Sequence, residues 1–245
     1  MRLALISDIH GNAIALEAVL AEIDREGVDQ IISLGDVAPL GSQPREALDI
    51  LRDRGIPSVL GNHDEFLLVP DLIYQYATGA PIETAVSWCR EQLRPGDFDY
   101  LRTFQREIEV PLGDSACLRL FHGSPRSHME MLLATTPPDE LETMLAGRKG
   151  SLLAGGHTHI QMFRQHRGQL LLNPGSVGMP FLEHIGVNPT APPRILAHAE
   201  YAIVTAERAR ISVDLRRLPL DRKRLREAAL ASEVPLRGML AAQYA

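Results

Sequence analysis

The chain has 245 residues, 45% of them hydrophobic and 23% charged, and a net charge of -6. That length and composition suit a large α/β domain with a full core. The acidic balance excludes general nucleic-acid binding, which needs clustered Lys and Arg, so an anionic substrate has to find its positive charge locally, from a metal for example. In chain order, RLALI (residues 2–6) reads as a buried strand. Asn12 can cap the helix that follows, where Ala15, Leu16, Val19, Leu20 and Ile23 recur at helical spacing and Gly27 stands at the stop. QIISLG is a second strand, Pro44 opens a helix faced by Leu48 and Leu51, and IPSVLG reads as a third strand. Strand and helix alternate, which predicts a parallel sheet with crossover helices.

Residues 65–105 change character. Phe66, Tyr74, Tyr76, Trp88, Phe98, Tyr100 and Phe104 gather there. EFLLVPDLIYQY and IETAVSWCREQL both suit helices, interrupted by TGAP and ended by RPGD, so a helical excursion beside the sheet is expected. The aromatics read as core rather than as a binding platform. EIEV and ACLRLF then read as strands joined by PLGDS. PPDELETMLAGRKG suits a short helix, and SLLAGG is another strand. QMFRQ and QLLLN flank a turn at His166-Arg167-Gly168. AEYAIVTA and RISVDLRR form an antiparallel pair around Glu207 and Arg208. From Pro219 a helical tail carries Arg222, Lys223, Arg224 and Arg226, read as a solvated face. With no repeat and no linker, one domain over 1–245 is expected, with the excursion at 65–105 and the tail at 219–245.

Cys89 and Cys117 belong to no paired motif, so they read as reduced, packed thiols. No stretch approaches the ~18 apolar residues of a membrane helix, and the apolar N-terminal run is too short for a signal peptide. A soluble, cytoplasmic protein is expected.

The polar residues that follow the apolar strands carry the chemistry. They are Asp8 and His10, then Asp36, then Asn62, His63 and Asp64, then His122, and finally His157 and His159. In open α/β sheets ligands gather at the carboxyl ends of strands. Five of the nine histidines fall at these ends, which a scatter of surface histidines would not do. Imidazole, carboxylate and amide donors without Cys suit Mn, Fe, Zn or Ni rather than Ca. Seven donors exceed the needs of one four-coordinate ion and suffice for two if a carboxylate bridges.

The series SDIHGN, LGDV, LGNHD, FHGSP and GGHTH resembles the calcineurin-like metallophosphoesterases, in the order D-x-H, G-D, G-N-H-[DE], H, G-H-x-H. The resemblance runs from Ser7 to about residue 180. It lies closest to the small single-domain bacterial and archaeal phosphodiesterases, where NPGSVG, here Asn173 to Gly178, also follows the last block. It implies a four-layer α/β/β/α sandwich of two mixed β-sheets. It also implies a metal site in which Asp8, His10 and His159 hold one divalent ion, Asn62, His122 and His157 hold a second, and Asp36 bridges. Manganese is the favoured ion.

The implied reaction is phosphodiester hydrolysis by in-line attack of a hydroxide shared by two ions, with His63 as general acid. The substrate would be a small phosphoester, nucleotide-like esters included. Phosphomonoesterases, acting on proteins or nucleotides, are the alternative, and a non-catalytic scaffold is a further one. Monoesterase relatives usually read G-D-x-V-D-R-G in the second block; GDVAPLG here lacks that Asp and Arg. The late strands and the tail offer an interface for a homodimer. Asn12 and Asp64 read first as helix caps, Arg126 as a loop arginine and Ser176 as a turn residue. His128, His166, His184 and His198 fit no block.

Overall fold

The structure is a computed structural model; it describes residues 1–75, 80–112, 116–184, 192–207 and 210–245. The TGAP interruption, Tyr76, the PLGDS connection and the turn at Arg208 fall wholly or partly outside the described residues.

Two sheets are stacked. The first, ordered β2-β1-β8-β9, contains β1 (Arg2–Ile6), β2 (Gln30–Ser33), β8 (His198–Glu207) and β9 (Arg210–Pro219). The second, ordered β3-β4-β5-β7-β6, contains β3 (Ile108–Pro111), β4 (Cys117–Leu120), β5 (Leu152–Ala154), β6 (Met162–His166) and β7 (Gln169–Asn173). Both are mixed. β1 runs parallel to β2 and antiparallel to β8; β4, β5 and β7 run parallel, flanked by antiparallel β3 and β6. In the first sheet the parallel pairing expected from strand–helix alternation is kept by β1 and β2 and by the Ser33–Ser58 bridge, and β8 then returns antiparallel beside β1 from far along the chain.

Strand parity builds the layers. Leu3 and Leu5 of β1, with Ala202 and Val204 of β8, point between the sheets, where they meet Leu118, Leu120, Leu152 and Leu172. Ala4 and Ile6 point the other way, onto α1 (Ala13–Glu26) and the rest of the larger core. On the far side Leu153 and Leu171 pack against Leu141 and Leu145 of α6 (Pro138–Leu145). This gives helix, sheet, sheet, helix, as expected.

α1 begins at Asn12, whose side chain accepts the Ala15 N–H, and ends at Gly27 in the left-handed conformation. α2 (Pro44–Asp53) follows Pro44. Several elements differ from the sequence reading. IPSVLG forms only isolated bridges, at Ser33–Ser58 and Val59–Gln105, because Pro57 removes a ladder donor and the segment lies at the sheet edge. EFLLVPDLIYQY is not one helix: α3 (Asn62–Leu68) stops before Pro70, and a 3-10 turn covers Pro70–Gln75. RPGD follows the end of α4 (Ala80–Gln92), as expected, and opens a further helix inside the excursion. Pro95 takes the first helical position and starts α5 (Pro95–Leu101). The tail is two helices, α7 (Arg222–Ala231) and α8 (Arg237–Gln243). Trp88 is half-buried against the core, and Cys89 and Cys117 are free. No helix among the described residues is long and apolar enough to cross a membrane.

Candidate metal centre

All eight strand-end residues singled out as donors or acid meet at one rim, and all are buried: Asp8, His10, Asp36, Asn62, His63, His122, His157 and His159. They are delivered by the segments after β1, β2, the 56–61 segment, β4 and β5. The backbone there is strained. Asp8, His10, Asp36, His157 and His159 all have positive φ, between 47° and 69°. They are five of the eight non-glycine residues with positive φ among those described, so the strain is concentrated at this rim. Close approach of loops explains the glycines. A Cβ on Gly156 would lie 1.9 Å from the Ser7 hydroxyl, and one on Gly61 would lie 2.1 Å from Asp36 Oδ1.

The donors form two groups. In the first, ligand atoms of Asp8, His10 and His159 lie within 4.8 Å of one another; in the second, those of Asp36, His122 and His157 do. Asn62 joins the second, its Oδ1 standing 3.0 Å from His122 Nε2. Asp36 stands between the groups: Oδ2 is 3.7 Å from His10 Nε2 and 3.3 Å from His122 Nε2.

Outer contacts set the tautomers. His10 Nδ1 donates to Pro39 O (3.0 Å), His159 Nδ1 to Met179 O (2.7 Å) and His122 Nδ1 to Leu34 O (2.7 Å). Each Nε2 lone pair is thereby aimed into the cluster, the arrangement metal-binding histidines use. His10 Nε2 and His159 Nε2 are only 3.0 Å apart, so two lone pairs converge on a point that calls for a cation. Two buried carboxylates face the same volume, and no lysine or arginine among the described residues hydrogen-bonds or ion-pairs with Asp8 or Asp36.

The titration behaviour reports the same demand. Burial pushes Asp8 up and His10 and His157 well below the ordinary imidazole range. Burial opposes charge on Asp36 too, but the His122 and His63 imidazoles outweigh it and hold the carboxyl well below its ordinary range. His122 goes the other way. Burial resists its protonation, and the Asp36 carboxylate overcomes that and lifts it to about 9. A proton there does the work a divalent ion can do. The donor set fits divalent metal ions: imidazole, carboxylate and amide groups, buried and oriented, with a proton on His122 that a metal would displace.

His63 belongs to neither group. Its backbone N–H donates to Asp36 Oδ1 (2.9 Å), and its ring lies edge-on to His10 and Phe66. Its Nδ1 is buried without a hydrogen-bond partner, and burial lowers its pKa to about 4.

Sequence reasoning missed several supports. Asp64 caps α3 as expected, accepting the Gly61 N–H, and it also does more. Its carboxylate accepts N–H bonds from Asp36, Val37 and Gly61, tying the Asp36 loop to the start of α3. Asn173 donates to Gly156 O and Thr158 Oγ1 and so orients the GGHTH loop. Ser176, read as a turn residue, donates to Asp8 O and accepts from Met179 N. Phe181 stacks on His159 with ring centroids 4.2 Å apart. The NPGSVG block was a signal for Asn173 and Ser176; nothing in the sequence pointed to Phe181. Asn12 caps its helix as expected and also donates to Gly178 O. Arg126 is exposed and paired with Glu130. His128, His166 and His198 pair with Glu65, Glu142 and Glu200, and none of them belongs to either donor group.

Comparison with known proteins adds independent findings. Residues 1–191 match the calcineurin-like phosphoesterase superfamily domain. An uncharacterised protein of Methanocaldococcus jannaschii is 31% identical over 193 residues, spanning 73% of this chain and 76% of the relative. Among solved structures, a metallophosphoesterase from Sphaerobacter thermophilus is 26% identical with a TM-score of 0.73, covering 99% of this chain and 100% of that one. A hypothetical protein from Pyrococcus horikoshii shares the fold, with 21% identity, a TM-score of 0.76 and 96% coverage of both chains.

Proposed function

The chain belongs to the calcineurin-like phosphoesterase superfamily, and from that premise we propose that its cluster hydrolyses phosphodiesters with two divalent metal ions, manganese favoured. One observation carries the reading. The Asp36 carboxylate lies within 3.7 Å of a histidine from each donor group, where a bridging ligand has to stand. Asp8, His10 and His159 would hold one ion, and Asn62, His122 and His157 the other. When bound, such ions neutralise charge on the phosphoryl oxygens and acidify a water.

The residues of the chain do the rest. Pro39 O, Met179 O and Leu34 O keep three imidazoles facing inward, so little reorganisation accompanies the reaction. Asp64 accepts the Asp36 backbone N–H and holds its loop, and the His63 N–H donates to the Asp36 carboxylate. The His63 imidazole, edge-on to His10, is the group placed to hand a proton to the departing oxygen, for which the anionic phosphoester has to raise its pKa from about 4. Among the described residues, Arg106 pairs with Glu65, next to Asp64, and Arg126, four residues after His122, pairs with Glu130. That favours a singly charged diester over the dianion of a monoester.

The assay is turnover of bis-p-nitrophenyl phosphate against p-nitrophenyl phosphate, with and without Mn²⁺. Metal-dependent turnover that prefers the diester is the expected result. A preference for the monoester would shift the reading to a phosphatase, and no turnover of either would point to a scaffold.

A further inference from the structure

The two donor groups are not held by the same part of the molecule. The second is tied to the sheets: His122 bonds to Leu34 O just beyond β2, and Asp36 is fixed by α3. The first depends on the segment after Asn173. His159 bonds to Met179 O, stacks on Phe181, and accepts the Phe181 N–H at its own carbonyl. Phe181 in turn bridges to Ile195, and Leu182 N–H donates to Arg194 O.

That paired segment is clasped by the C-terminal helix. Gln243 Oε1 accepts the Ile195 N–H (3.1 Å), and Gln243 Nε2 donates to Pro193 O (3.3 Å). Beneath the clasp, Leu225, Leu240 and Tyr244 of the tail share the wall of a small cavity with His10, Ser42 and Met179. Leu225, Leu240 and Tyr244 are all buried, and burial pushes the Tyr244 hydroxyl up to about 12. His10 therefore shares a wall with the tail, and His159 is joined to it through Phe181 and the 193–195 segment, whereas the outer contact of His122 is Leu34 O beside the sheet. The clasp also lies beyond the residues that match the superfamily domain, which stop at 191.

We infer that Gln243 and Phe181 are positioning residues for the first metal position alone: α8 holds the 193–195 segment, the segment holds Phe181, and Phe181 fixes His159. The tail thus sets the affinity of one of the two ions. This rests on the two-ion reading above.

The test counts ions. Wild type, Gln243→Ala, Phe181→Ala, Phe181→Tyr and Arg224→Ala are stripped, reloaded with Mn²⁺ and analysed for bound metal by mass spectrometry and chelator competition. Wild type holds two ions. Gln243→Ala and Phe181→Ala keep one at unchanged affinity and bind the other about tenfold more weakly or worse, the usual cost of losing an outer support. Phe181→Tyr preserves the stack and keeps both, as does Arg224→Ala, whose partner is the distant Glu17. Melting curves of the metal-free proteins verify folding; should Phe181→Ala fail to fold, the half-buried Gln243→Ala carries the test. Two ions at wild-type affinity in Gln243→Ala, or equal weakening of both, overturns the inference and leaves the two-ion reading standing. A wild type that takes up fewer than two ions overturns the two-ion reading and the inference with it, and shows this before any variant is compared.

Discussion

Asp8 with His10 and His159, and Asp36 with His122 and His157, repeat one donor set, a carboxylate and two imidazoles. Their surroundings differ. The second group hangs from the ends of strands whose side chains fill the inter-sheet core, with Leu34, Leu118, Leu120, Leu152 and Ala154 buried nearby. The first shares β1 and β5 but takes its outer contacts from loops: Pro39 O, Met179 O and the Phe181 ring. A close-packed core transmits little motion, whereas loops are held by a few replaceable contacts. Identical donors on unequal supports are therefore expected to bind with unequal strength, the loop-held first group more weakly.

The largest effect expected is at the residue that stands between the two groups. Asp36→Asn replaces a carboxylate held well below its ordinary pKa range. It is expected to lower metal affinity by about 10–100-fold or more at both positions, with activity falling accordingly. Two fully loaded ions in that variant would show that Asp36 serves one group only. Next comes His63, which belongs to neither. His63→Ala is expected to keep both ions and lose about 10²–10⁴-fold on diesters with poor leaving groups, with far less loss on nitrophenyl esters. Full activity on poor leaving groups would remove it from the proton path. The comparison itself is put at risk by the GGHTH pair. His157→Ala and His159→Ala are expected to lose different ions, and metal analysis that finds the same ion missing from both would dissolve the two-group division.

Much of this was legible because the donors sit where strand periodicity ends. RLALI, QIIS and LLA announce themselves as buried strands, and a polar residue directly after such a run has to stand at the rim. The ordered blocks then named the candidate donors, and the structure brings every one of them to one rim. The supports were less visible, for physical reasons. Carbonyl oxygens such as Pro39 O carry no side-chain signature. Asp64 reads identically as a cap and as a clamp, since both roles need a carboxylate at the third helical position. Phe181 lies in an irregular stretch with no period to read. IPSVLG failed as a strand because an apolar run with Pro57 has the composition of a strand without the donors to pair as one. The return of β8 beside β1 is a long-range choice that no local window contains.

The smallest expected effect is a control far from both groups. Asp97 caps α5 from within, accepting from the Arg94 backbone N–H and side chain and from Arg52 of α2. Burial would raise its pKa, and the Arg94 and Arg52 bonds outweigh that and hold it at about 2, below the ordinary 3.8. A depressed carboxylate stabilises the fold above its unfolded pKa and loses that contribution as pH falls through the folded value. Here the contribution is whole above roughly pH 5, about half gone by pH 3 and absent below pH 2. The arginines are a third to a half exposed, at 34% and 48%, so solvent screening reduces the contribution to about 1 kcal/mol. Urea unfolding of Asp97→Asn against wild type is expected to show that gap at pH 6 and a narrower one at pH 3. Because the clamp joins α2 to α5 and touches neither donor group, metal content is expected to stay at the wild-type value in the variant. A loss of one ion would mean that the helical excursion, and not only the tail, reaches the metal site.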